Sequence, residues 1–116
     1  MNEIDPDTRA AVESFLDTIK QYDVIEAYLY GSRARGDHGT NSDADVAVIL
    51  TGNHHDYNFL KVKLEMVDLA FAAIFETGIL ISPLPIWLDE WENSGNYSNP
   101  KLLENIRREG VRVGQL

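Results

Sequence analysis

Asp43 and Asp45, one residue apart, are the side chains of this sequence whose spacing most directly implies chemistry. Side chains alternate across a β-strand, so an Asp-x-Asp at a strand start puts both carboxylates on one face. Two carboxylates that close repel unless a cation sits between them. Hard oxygen ligands of this kind suit Mg²⁺ or Mn²⁺, ions that keep several waters and bind substrate phosphates. Upstream stand Gly31 and Ser32. Glycine permits close backbone approach, and the amide and hydroxyl of Ser32, ahead of a helical turn at Arg33-Ala34-Arg35, can hold a phosphate. Arg33 and Arg35 can neutralise a polyphosphate chain. The pieces together fit a metal-bound nucleoside triphosphate. Each alone has a plainer reading, since Gly-Ser is a common turn and Asp-x-Asp a solvated hairpin shoulder; their joint occurrence between two strands favours the chemical one.

Those residues need elements to position them. Asp5-Pro6 reads as an N-cap with proline in the first helical position, and Val12, Phe15, Leu16 and Ile19 form the inward stripe of a helix near residues 6–21. Val24 to Tyr30 is rich in β-branched and aromatic residues and reads as a strand ended by Gly31. Residues 31–42 are glycine-rich and polar, a turn-rich connection. Asp43 to Leu50 is a second strand, apolar on both faces and therefore central in its sheet. Leu60, Leu64, Val67, Phe71 and Ile74 step by four and three along a long amphipathic helix, with Gly78 as its C-cap. Ile79 to Leu88 is a third strand, which Pro83 and Pro85 confine to an edge because proline donates nothing to a ladder. Asn99-Pro100 opens a last helix through Leu102, Leu103 and Ile106, stopped by Gly110. The expected fold class is α/β (α+β), a small mixed sheet with helices packed on it.

A length of 116 residues predicts one domain over 1–116, and 44% apolar with 25% charged residues is a globular balance, neither disordered nor fibrous. The absence of cysteine excludes disulfide scaffolds, thiolate zinc sites and cysteine nucleophiles. A net charge of −9 argues against nucleic acid as a partner, but not against a small anion bound together with a divalent cation. The acidic start, Met1 to Asp7, lacks the apolar region of a signal peptide, and no apolar run approaches the roughly 20 residues a membrane helix needs. The expectation is a cytoplasmic protein.

The segments Gly31-Ser32-Arg33-Ala34-Arg35-Gly36 and Ser42-Asp43-Ala44-Asp45-Val46 resemble the signature of minimal nucleotidyltransferase domains in the DNA polymerase β superfamily. The order of elements resembles that small fold over most of the chain. The resemblance implies a nucleotidyltransferase in which Asp43 and Asp45 ligate two Mg²⁺ ions. It further implies that Gly31 and Ser32 hold the triphosphate, with Arg33, Arg35 and Ser42 on the nucleotide side. Attack on the α-phosphate would release pyrophosphate. Domains this short resemble the antitoxin halves of toxin–antitoxin pairs, whose partners are helical HEPN-type ribonucleases and which can transfer AMP from ATP onto a tyrosine of the toxin. The chain departs from the pattern in one place. Active members carry a third acid on the strand after the long helix, whereas residues 79–88 contain none. A domain that lacks turnover and neutralises its partner by contact is therefore the alternative expectation.

The remaining polar and aromatic residues carry less. His54-His55 and His38 are expected in solvated loops, Glu65 and Asp68 on a solvated helix face. Trp87 and Trp91 read as packing anchors, and Tyr22, Tyr28 and Tyr30 as core or edge residues.

Overall fold

The protein is described by a computed structural model over residues 4–114; the first three residues of the acidic start lie outside it. Asp5 opens the first helix, α1 (Pro6–Thr18), by accepting hydrogen bonds from the Thr8 amide and the Thr8 hydroxyl, both 2.8 Å. The helix ends at Thr18, short of the expected residue 21, yet Ile19 is still buried with Val12 and Phe15. Strand β1 (Val24–Tyr30) has the expected bounds. A single turn, α2 (Ser32–Arg35), follows Gly31, and β2 (Ala44–Leu50) starts one residue later than the sequence suggested. Asn58 caps the long α3 (Phe59–Thr77), which Gly78 closes in the left-handed conformation, its N–H donating to the Ile74 carbonyl at 2.8 Å. Then come β3 (Ile81–Trp87), α4 (Leu88–Glu92), α5 (Pro100–Glu109) and β4 (Val111–Val113). The sequence patterns had marked neither α4 nor β4, each too short to show a period.

The four strands form one mixed sheet in the order β3-β2-β1-β4, with β2 parallel to β3 and antiparallel to β1. The central place of β2 and the edge place of β3 follow the sequence reading. The Ala44 amide donates to the Leu80 carbonyl at 2.9 Å, which sets the parity of the parallel ladder. Even-numbered residues of β3 therefore turn their amides toward β2, and Pro83 and Pro85 face the open edge, where no donor is needed.

Each sheet face has its own apolar core. Val46, Val48 and Leu50 pack with Phe15 of α1 and with Val62, Met66 and Ala70 of α3. On the other face Ala47 and Ile49 meet Trp91, Leu103 and Ile106 from α4 and α5. One expectation is corrected here. The stripe Leu60-Leu64-Val67-Phe71-Ile74 does not face the core; α3 buries Val62, Met66, Ala70 and Ala73 instead. The helix is apolar on two sides, and the alanines at 70 and 73 allow the closer approach to α1 and the sheet. A spacing rule that counts large side chains selects the wrong side.

Candidate active site

Strand register brings the site together. Asp45 lies between Tyr30 on β1 and Ser82 on β3, on the sheet face that carries Ala47 and Ile49. Asp45 is half-buried and Asp43, just ahead of the strand, is exposed. Burial pushes the Asp45 carboxyl above its ordinary range, and the neighbouring charge of Asp43 pushes it the same way; Arg35 opposes them. Among the described residues neither carboxylate has an ion-pair partner. Two like charges held together without a cation are what a hard divalent ion would relieve. Among the described residues no group of three or more His, Cys, Asp or Glu side chains could enclose a metal by itself. The fit is therefore to an ion bound by two carboxylates and completed by water or phosphate oxygens.

Gly31 abuts this pair. Its backbone has φ of +77°, and a Cβ placed on it would lie 2.5 Å from Asp45 Oδ2. Only glycine lets the end of β1 approach the carboxylate this closely. Ser32 follows at the start of α2, half-buried beside the turn.

The two arginines divide. Arg35 is exposed, bonds Asp37 at 3.1 Å and Glu109 at 3.4 Å, and its charge reaches Asp45. Arg33, expected beside the phosphates, is only 4% exposed and has a different task. Its Nε donates to the Ser42 carbonyl (2.9 Å), Nη1 to Thr8 Oγ1 (2.8 Å) and Nη2 to the Thr40 carbonyl (3.4 Å). Thr8 donates on to Asp5, which also meets His38 Nε2 at 3.0 Å. Arg33 thus fastens the 36–43 connection to the start of α1. Ser42 serves the same connection, its hydroxyl accepting from the Gly39 amide at 3.0 Å.

Sequence reasoning missed Ser82 and Thr8. The position of Ser82 beside Asp45 depends on the register of β3, which no local pattern encodes. Tyr30, read as a core or edge residue, stands next to Asp45; burial raises its phenol, with the Asp45 charge adding to it. His54 is not solvated: its Nδ1 meets Asp89 Oδ2 at 2.5 Å and its amide donates to Asp89 Oδ1 at 2.8 Å. Trp87 and Trp91 are buried, as packing anchors.

The family profile described as "Polymerase beta, Nucleotidyltransferase" matches residues 13–81, more than half of the sequence, including Gly31 to Asp45. This chain belongs to the polymerase β nucleotidyltransferase family. Its fold is similar to the crystal structure of a Sulfolobus solfataricus protein provisionally assigned as a nucleotidyltransferase. The TM-score is 0.52 at 17% identity, covering 97% of this chain and 89% of the other. No curated protein sequence matches. No helix among the described residues is long and apolar enough to cross a membrane.

Proposed function

We propose that this chain is a Mg²⁺-dependent nucleotidyltransferase that moves a nucleoside monophosphate, AMP from ATP, onto a hydroxyl of a helical HEPN-type protein partner. The observation that carries the reading is the carboxylate pair, Asp45 half-buried and Asp43 exposed beside it, set against the Gly31-Ser32 turn. In this reading Asp43 and Asp45 hold the metal. Gly31 lets the phosphates come close, and the Ser32 amide and hydroxyl fix them. Arg35 offsets phosphate charge, and Arg33 and Ser42 hold the connection that delivers Asp43. When bound, the divalent cation supplies positive charge to the attacking and leaving oxygens. In the transfer the acceptor hydroxyl gives its proton to solvent and its oxygen forms a bond to the α-phosphorus as the bond to pyrophosphate breaks and pyrophosphate departs. The antitoxin resemblance supports a protein acceptor, and the net charge of −9 supports a partner that is not nucleic acid.

One observation favours a second reading, a binding module without turnover. Ser82 occupies the β3 position beside Asp45, so that strand adds no carboxylate to the pair. A serine there neither ligates a hard cation strongly nor accepts the acceptor's proton at neutral pH.

Calorimetric titration with ATP, with and without Mg²⁺, tests the site without knowledge of the acceptor. Metal-dependent binding by the wild type and none by Asp43→Asn is the expected outcome. Binding unchanged in Asp43→Asn overturns the site, and no binding by the wild type favours the contact-only module. Co-expression with the partner then separates the two functions: the transferase reading expects Asp45→Asn to lose neutralisation, the binding-module reading expects it to retain it.

A further inference from the structure

Two apolar stripes run along α3, and the sheet and α1 cover one of them. The other, Leu60, Leu64, Val67, Phe71 and Ile74 with Phe75 beside them, lies outside. Leu60 is 61% exposed, Leu64 54%, Phe71 50% and Phe75 90%. Taking roughly 200 Å² for a fully exposed side chain of this size, these four present roughly 500 Å² of apolar surface. That is toward the upper end of what a soluble monomer shows, about 300–600 Å².

We propose that a second copy of this chain covers the stripe, α3 against α3, antiparallel about a two-fold axis near Val67. The alternating steps of four and three are the seam along which one helix packs its knobs into the holes of another. A stripe of this kind complements itself, as an interface with two-fold symmetry requires. Two copies together bury roughly 1,000 Å², about the area a specific interface must clear. The helix dipole sets the direction. An antiparallel pair sets the positive end of one α3 beside the negative end of the other, whereas a parallel pair sets like ends together. The helix packs on the sheet face opposite Asp45, so both sites of the dimer stay open on its outer surfaces. This inference is independent of nucleotidyl transfer.

Sedimentation of the intact protein across the micromolar range, at low and moderate salt, tests it. The expected result is twice the monomer mass, with tighter association at higher salt, because each copy carries −9 and screening removes the mutual repulsion. Leu64→Glu and Phe71→Glu are expected to weaken the dimer by about a hundredfold or more with an unchanged circular dichroism spectrum, since each exposed residue acts twice in a symmetric interface. The chain has no cysteine, so single-cysteine variants report the geometry. Val67→Cys, at the axis, forms a disulfide with its own copy under mild oxidation and Leu60→Cys does not. A wild type that stays monomeric at both salts, a dimer untouched by either glutamate, or cross-linking through Leu60→Cys overturns the proposal.

Discussion

At the scale of single residues the site works against the fold. Asp45 sits half-buried beside Asp43 with its carboxyl raised, so its ionised form is less favourable in the folded chain than in the unfolded one. The sign follows: this group lowers stability at neutral pH, and the penalty fades as pH falls through the raised folded value. Asp45→Asn is accordingly expected to melt higher than wild type at pH 7 without metal, by about 1 kcal/mol or a few degrees in Tm. The advantage shrinks toward the ordinary carboxylate range, where wild-type Asp45 is itself neutral. Mg²⁺ with ATP should reverse the order, raising the wild-type Tm and leaving the variant where it is. Thermal denaturation at two pH values, with and without the ligands, checks all of this. Ser82 offers the converse test. Ser82→Asp places a third carboxylate in the row of Asp45, and should cost stability in the free protein while raising metal affinity about tenfold by calorimetry.

At the scale of elements, the connection between β1 and β2 is held by one buried guanidinium. Replacing Arg33 by alanine leaves Thr8 Oγ1 and the carbonyls of Thr40 and Ser42 without their donor. The expected loss is about 2–3 kcal/mol in urea unfolding. Arg35→Ala, at an exposed position, should stay within about 0.5 kcal/mol. This contrast separates what the sequence displayed from what it concealed. Caps, glycine turns and proline-marked edges are written locally, which is why Asp5-Pro6, Gly78 and Pro83 were readable and β1 emerged with its bounds. The Gly31-Ser32 and Asp43-x-Asp45 pieces were readable too, because two strands had to bring them side by side. The division of labour between Arg33 and Arg35 was not, since it depends on Thr8, far away in sequence. Nor was the inward side of α3, where small alanines outcompete leucine and phenylalanine for proximity to the sheet.

For the molecule as a whole, net charge and apolar surface pull in opposite directions. A charge of −9 on 116 residues makes the compact state repel itself, and added salt should raise the Tm by a few degrees, which a melt in increasing NaCl measures. The same charge opposes the pairing that the bare stripe of α3 favours, which is why salt should tighten it. Sheet edges are a second route by which proteins of this architecture associate, and here both are blunted. One edge strand, β3, turns two prolines outward; the other, β4, is only three residues long. Neither offers the uninterrupted row of donors and acceptors on which a foreign strand could template itself. When concentrated or partly unfolded, this protein should therefore resist cross-β fibre growth from its native edges. Whatever it gathers into will be made of packed helices rather than extended ribbons.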